Sequence, residues 1–272
     1  MIEVSHLDFK YPGQHGWVFE DFSLRLEENK IYGLLGKNGT GKSTLLYLIS
    51  GLLRPSKGNV RFDGITTSER HAEVLQEMFL VPEEFDLPSV TLAQYLRLNA
   101  PFYPRFSYET LERCLTDFEL DTDLHLSALS MGQKKKVFMS FALAANTRLL
   151  MMDEPTNGLD IPSKSQFRKV ITQNMNEERT VIVSTHQVHD VEALLDHILM
   201  MSQRELLLDA SVQELTDKYV FEYRQPDQMD GIIYAEPSLQ GNAVIARRSE
   251  GQAETQLNLE LLFNAVTKGL VK

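Results

Sequence analysis

Apolar residues alternate loosely through Ile2, Val4, Leu7 and Phe9 and strictly through Phe22, Leu24 and Leu26, with Pro12, Gly13 and Gly16 between the two runs. A period of two with turn formers in the gap predicts an antiparallel pair of strands. The short apolar run from Ile31 to Leu35 ends in a glycine-rich loop, and from Ser43 to Ser50 the spacing of Leu45, Leu48 and Ile49 becomes helical. Strand, loop and helix therefore follow in order. A turn at Pro55 to Gly58, then Val60 and Phe62 ahead of Asp63-Gly64, adds a further hairpin strand to this early β layer.

From Asp86 to about Ala145 strand signals vanish and helical spacing takes over, with Leu92, Tyr95 and Leu96 in one segment and Tyr108, Leu111, Leu115 and Phe118 in the next, the latter opened by Ser107 as N-cap. Apolar runs return at Leu149 to Met152, Val181 to Val183 and Ile198 to Met201, with helices expected from about Pro162 and Val188 between them. Strands alternating with helices predict a parallel sheet. After Asp209 the pattern shortens: Ser211 and Glu214 form a capping box, strand-like pieces lie near Val220 to Tyr223, Ile232 to Tyr234 and Val244 to Arg247, and Leu259, Leu262, Phe263 and Val266 define a last amphipathic helix. The expected fold is an α/β core over 1–210 with a parallel sheet, an N-terminal antiparallel β layer and a helical insertion at about 86–145, followed by a small α+β extension over 211–272.

Hydrophobic content of 43% with 24% charged residues is ordinary for a folded chain. No apolar stretch approaches the roughly 20 residues that span a bilayer as a helix. Glu3 and the lack of an apolar run near the start argue against a signal peptide, and the lone Cys114 fits a reducing compartment, so a cytoplasmic location is expected. The formal charge of −11 opposes attraction to nucleic acid. Lys134 to Lys136 is the one conspicuous basic run and reads as a solvated helix face.

The segment Gly36-Lys37-Asn38-Gly39-Thr40-Gly41-Lys42-Ser43-Thr44 fits GxxxxGK[ST] between a predicted strand and helix, the context the phosphate-binding loop requires. Glycines let consecutive backbone N–H groups turn toward one anionic centre, and the following helix adds its positive end. Lys42 is expected to reach the terminal phosphates and the Ser43 hydroxyl to ligate Mg²⁺. The run Leu149-Leu150-Met151-Met152-Asp153-Glu154 has the form of a Walker B strand, ending in two acids at the carboxyl edge of a parallel sheet. Asp153 is expected to hold Mg²⁺ and Glu154 to polarise or deprotonate water. The core is thus of the P-loop NTPase type.

Leu129-Ser130-Met131-Gly132-Gln133 resembles the LSGGQ signature of the ABC ATPases, and it stands 23 positions before Asp153, counted from Ser130. The order of phosphate loop, helical insertion, signature and Walker B is similar to that family's. The resemblance implies further elements: Asn157-Gly158-Leu159-Asp160 as the D-loop, His186 as the switch histidine and Tyr11 as the aromatic that stacks on adenine. It implies ATP and Mg²⁺ as ligands, with Ser130, Gly132, Gln133 and Asp160 contributing to a nucleotide site completed across a homodimer or heterodimer. It also implies a transmembrane permease partner, hence a peripheral position on the cytoplasmic face of the membrane. The short C-terminal tail resembles those of exporter-type ATPases. His186, His189 and Asp190 could instead form a metal cluster, but the remaining ligands and a typical spacing are missing.

Two departures from the family pattern stand out. Glu83 occupies the place of the Q-loop glutamine, bringing a carboxylate toward the γ-phosphate, where it is expected to sense the metal. Met131 replaces the first glycine of the signature pair, while Ser130 and Gly132 remain. The rival readings are a non-transport ABC protein acting on DNA or ribosomes, opposed by the acidic balance and the lack of a second cassette, and a P-loop kinase, opposed by the signature.

Overall fold

A computed structural model of the chain describes residues 1–202 and 205–271. In chain order the strands of the first half are β1 (Ile2–Phe9), β2 (Phe19–Leu26), β3 (Ile31–Leu35), β4 (Lys57–Phe62), β5 (Ile65–Thr66) and β6 (Met78–Val81). Helix α1 (Lys42–Ile49) follows β3, and the four-residue α2 (Ala72–Leu75) precedes β6. Helices α3 (Leu92–Asn99), α4 (Tyr108–Asp117) and α5 (Met131–Ala144) come next, then β7 (Leu149–Asp153), α6 (Ile161–Gln173), β8 (Thr180–Thr185), β9 (His197–Ser202) and β10 (Glu205–Ser211). The C-terminal segment adds α7 (Val212–Lys218), β11 (Tyr219–Arg224), β12 (Ile232–Ser238), β13 (Gly241–Arg247) and α8 (Leu259–Thr267).

The central sheet has the order β10-β9-β3-β8-β7-β6. Its strands are parallel except β10, which pairs antiparallel with β9 at the edge. Every residue of β3, β7 and β8 is buried, as expected of strands covered on both faces. Their side chains alternate between two cores. Leu35, Leu150, Met152, Val181, Val183, Ile198 and Met200 join α5, α6 and α8 on one face, while Leu34, Leu149, Met151, Ile182, Leu199 and Met201 join α1 and the N-terminal layer on the other. That N-terminal layer is the antiparallel sheet β2-β1-β4-β5, in which Ile2 pairs with Leu26 and Val4 with Leu24, so the alternation seen along the chain becomes one buried face.

The helical insertion closes over its own small core of Leu92, Leu111, Leu115, Leu126, Val137 and Ala144, and Tyr95, Leu96 and Phe106 pack against both this cluster and the main one. Ser107, Ser130 and Ser211 each cap a helix, Ser130 and Ser211 with full capping boxes to Gln133 and Glu214. The helix expected from Val188 is corrected: two single 3₁₀ turns, Val188–Asp190 and Glu192–Leu194, stand there. Val188, Val191 and Leu194 recur every three residues and are all buried, a spacing that a 3₁₀ backbone aligns on one side. The C-terminal sheet β11-β13-β12 carries α8, whose Leu259, Leu261, Leu262, Ala265 and Val266 enter the main core beside Ile198, Met200 and Leu208.

Candidate active site

The loop 36–41 links the carboxyl end of β3 to α1, and its shape depends on missing side chains. A Cβ at Gly36 would lie 2.7 Å from both the Met201 carbonyl oxygen and Thr40 Oγ1, and Gly41 sits at φ +99° with the side chains of Val18 and Phe19 about 3 Å from where a Cβ would be. Gly41 is also the N-cap of α1 and offers no side-chain acceptor, so the first N–H groups of the helix are left for an anion. Lys42 is buried and folds back over its own loop, its Nζ donating to the carbonyls of Gly36 at 2.9 Å and Lys37 at 3.3 Å.

One strand delivers both acids and its neighbour supplies the groups that hold them. Asp153 closes β7, is 1% exposed, and accepts a very short hydrogen bond from Ser184 Oγ on β8. Burial pushes its carboxyl above the usual carboxylate range, opposed by hydrogen bonding to Ser184 and Ser43 and reinforced by the charges of Glu154 and Glu83. Glu154 follows at φ +45°, an uncommon region for a residue with a side chain, and its backbone N–H bonds the Ser184 carbonyl at 2.9 Å. The turn aims its carboxylate back into the site. There it accepts from Thr185 Oγ1 at 2.9 Å and from the His186 backbone N–H at 3.1 Å, meets His186 Nδ1 at 2.8 Å, and stands 3.7 Å from Lys42 Nζ.

A cavity of about 350 Å³ opens between these groups, lined by Tyr11, Gln14, Val18, Asn38, Gly39, Gly41, Lys42, Ser43, Thr44, Glu83 and Glu154. It gathers most of the predicted ligand residues. Tyr11 shares a 3.0 Å hydrogen bond with Thr44 Oγ1 and makes a T-shaped contact with Phe9, which together fix the ring at the cavity wall. Gly36 and Thr40 shape the loop from behind, where Thr40 Oγ1 donates to the Lys37 carbonyl at 2.9 Å. Ser43 beside Asp153 presents a hydroxyl and a carboxylate, the oxygen donor set that Mg²⁺ takes together with phosphate oxygens and water, so these residues fit the metal.

Ser130, Gly132, Gln133 and Asp160 do not line this cavity. Ser130 and Gln133 cap α5, and Asp160 caps α6, accepting from the Ser163 backbone N–H at 3.0 Å; hydrogen bonding from Ser163 holds its carboxyl below the usual range. Met131 is 56% exposed, so the side chain that departs from the family pattern displaces nothing in the core. Glu83 Oε1 accepts from Asn157 Nδ2 at 2.9 Å.

The solvated reading of Lys134 to Lys136 is corrected. Lys135 is only 6% exposed, and its Nζ donates to the Asn157 carbonyl at 2.7 Å, while Lys136 Nζ donates to Gln166 Oε1 at 3.0 Å and the Phe118 carbonyl at 3.3 Å. Helical periodicity marks Val137 and Phe141 as apolar neighbours on α5, but nothing local says that Lys135 turns inward. The three residues of the metal alternative take separate partners: His186 meets Glu154, His189 pairs with Glu260 at 2.6 Å, and Asp190 pairs with Lys164 at 2.8 Å.

The family profile described as ABC transporter matches residues 19–157. NatA, an ABC transporter ATP-binding protein of Bacillus subtilis (strain 168), is 32% identical over 205 residues, covering 72% of this chain and 82% of its own. YtrB, an ABC transporter ATP-binding protein of the same strain, is 28% identical over 222 residues, covering 81% and 75%. Among solved structures, the ATP-binding subunit of an ABC transporter superposes with a TM-score of 0.70 at 26% identity, covering 79% of this chain and 91% of that one. A dimeric ATP-binding cassette holding ADP and Pi shares the fold, with a TM-score of 0.68 at 23% identity over 78% of this chain and 99% of its own. With a phosphate loop, a Walker B acid pair and a capped signature helix placed as described, the chain belongs to the ABC transporter family of ATPases, as an ATP-binding protein.

Proposed function

We propose that this chain hydrolyses ATP as one half of a dimeric motor and transmits the resulting motion to a separate transmembrane permease on the cytoplasmic face of a membrane. The observation that carries the reading is the convergence on Glu154, whose carboxylate faces the phosphate cavity with Lys42, Thr185 and His186 around it. Lys42 exchanges its two loop carbonyls for the terminal phosphates, and the free N–H groups at the start of α1 receive the phosphate charge. Asp153 and Ser43 would hold Mg²⁺, with Glu83 alongside, and the metal would supply positive charge to offset that of the phosphates. Glu154 accepts the proton of the attacking water, and His186 holds that carboxylate in place. Tyr11 receives the adenine on its ring.

The signature residues Ser130, Gly132 and Gln133 lie outside this chain's own cavity, which supports a site completed by a second cassette, with Asp160 near the junction. Support for a membrane partner comes from a groove of about 550 Å³ whose lining includes Leu52, Leu75, Met78, Leu80, Phe102 and Tyr103. Leu52 and Phe102 in that lining are 57% and 71% exposed, so the groove carries a cluster of open apolar side chains rather than a single one. For direction we propose export. The SkfA peptide export ATP-binding protein SkfE of Bacillus subtilis (strain 168) is 27% identical over 80% of this chain, although a methionine import ATP-binding protein, MetN of Carboxydothermus hydrogenoformans, is 28% identical over 79%.

Phosphate release by the purified chain, followed with Mg²⁺ and after its removal by a chelator, tests the ATPase site: turnover should vanish without metal and in Lys42→Ala. Retained turnover in Lys42→Ala would sink the assignment. Affinity purification from membranes tests the partner, and transport by the reconstituted complex tests direction; recovery of a soluble ribonucleoprotein instead would favour the rival reading.

A further inference from the structure

Lys135 is a cation in an unfavourable place. It occupies the second turn of α5, near the positive end of the helix, and its side chain is buried, so both the helix dipole and desolvation work against its charge. Its known hydrogen bonds run to the carbonyls of Asn157 at 2.7 Å and Glu154 at 3.5 Å, which are neutral acceptors. Lys135 lines a second cavity, of about 500 Å³, together with Glu84, Asp86 and Asn157, and Glu83 stands in the wall of both this cavity and the phosphate cavity. Glu83 holds the side-chain amide of Asn157, and Lys135 holds the backbone carbonyl of the same residue. One asparagine therefore links a carboxylate from the end of β6 to an ammonium from the signature helix.

We propose that Lys135 is a positioning residue whose charge offsets Glu83, making an acid tolerable at the edge of a phosphate site. The proposal rests on the ATPase reading above. Without a counter-charge, Glu83 and Glu154 would face incoming phosphates across a cavity whose lining carries Lys42 as its cation, with the Asp153 carboxyl close enough to feel both acids. Lys135 brings a second cation to the far side of that acid group, and Asn157 keeps the pair in register. Desolvation pulls the Lys135 ammonium below its ordinary range, and the charge of Glu83 is the foremost influence restoring it. A purely structural lysine, present only to bond two carbonyls, would be replaceable by any donor of similar length.

A double-mutant cycle separates these roles, since glutamine keeps a donor at 135 and removes the charge. Lys135→Gln should weaken fluorescent ATP-analogue binding by roughly tenfold, within the coupling range of residues in one polar network. Lys135→Arg should stay near the parent. The pair Glu83→Gln with Lys135→Gln should recover binding to within about threefold of the parent, by the same network coupling. Additive effects of the two single changes would overturn the proposal. If Lys135→Gln fails to fold, recovery of folding when Glu83→Gln is added supports it, and failure in both backgrounds overturns it. Lys42→Ala and Glu154→Gln, run alongside for phosphate release, tell the two readings apart: if they hydrolyse ATP normally the site assignment is wrong, whereas an additive cycle with both of them inactive refutes only the role of Lys135.

Discussion

His186 Nδ1 lies 2.8 Å from Oε1 of Glu154, and the backbone N–H of His186 donates to that same oxygen at 3.1 Å. A carboxylate oxygen accepts, so the ring meets it as the donor through Nδ1, alongside the residue's own backbone N–H. Glu154 is held from three directions before any nucleotide arrives, with Thr185 as the third.

This geometry separates the base from its support. Glu154→Gln should lower kcat by about 10²–10⁴-fold, the usual worth of a positioned proton acceptor, while leaving nucleotide affinity close to that of the parent. His186→Ala should cost less, because Thr185 Oγ1 and the backbone N–H still hold the carboxylate. Steady-state phosphate release read beside equilibrium nucleotide binding checks both. Equal losses in the two variants would mean that His186 acts on the substrate directly.

Much of this site was legible because its signals are local. The phosphate loop is one contiguous segment between a strand and a helix, and Asp153-Glu154 ends a run whose every residue is buried. The caps at Ser107 and Ser211 also depend on residues three apart. What escaped depends on partners far along the chain. Lys135 is drawn inward by carbonyls 19 and 22 positions away, and β10 joins the central sheet by pairing with β9 although Leu206 to Leu208 shows no alternation. The turns after His186 form where tertiary contacts, including the Lys164–Asp190 ion pair at 2.8 Å, override a helical expectation.

Cys114 offers a second test, based on burial. It is 1% exposed and receives a weak hydrogen bond from Asn174 Nδ2 at 3.5 Å, and burial pushes its thiol up to about 11. Thiolate is the reactive form, so the folded chain should resist iodoacetamide at pH 8 and react once urea unfolds it. The folded value lies above the unfolded one. The unfolded thiol therefore ionises first as pH rises past about 8.5–9, and the stability contributed by the buried neutral thiol is full below that range and lost by about 11. Urea midpoints at pH 8 and pH 10 should fall further apart in the parent than in Cys114→Ala. An identical fall in both would refute the assignment.

Arg179 carries a structural load that its position between loops does not advertise. At 2% exposure it donates to the carbonyls of Asn174 at 2.7 Å, Leu143 at 3.1 Å and Thr147 at 3.4 Å, and to Asn146 Oδ1 at 2.8 Å. Leu143 lies in the last turn of α5 and Asn174 caps α6, so the guanidinium faces the negative ends of two helices. Arg179→Met would strand several buried oxygens at about 1–3 kcal/mol each, and the expected loss is at least about 3 kcal/mol in urea unfolding by that measure. Arg179→Lys should recover only part of it, since one ammonium cannot span the fork. A midpoint within error of the parent for Arg179→Met would show that water satisfies these carbonyls.

Helix α8 ties the C-terminal segment to the loop that follows the switch histidine position. The Leu259 backbone N–H donates to Glu192 Oε1 at 2.6 Å, and Glu260 meets His189 Nε2 at 2.6 Å, both within a few residues of His186. The two kinds of contact should differ sharply in weight. Leu262 is fully buried in the main core, so Leu262→Ala should cost about 2–5 kcal/mol, the range for a truncated core leucine. The Glu260 pair is solvent-exposed on both sides, so Glu260→Gln should leave the unfolding midpoint almost unchanged. Phosphate release discriminates further. If α8 braces the turns at 188–194, Leu262→Ala should lower kcat at temperatures where the chain is still folded, with nucleotide affinity retained because the phosphate loop packs in the opposite core. Unchanged kcat together with the stability loss would make α8 a packing element without influence on His186.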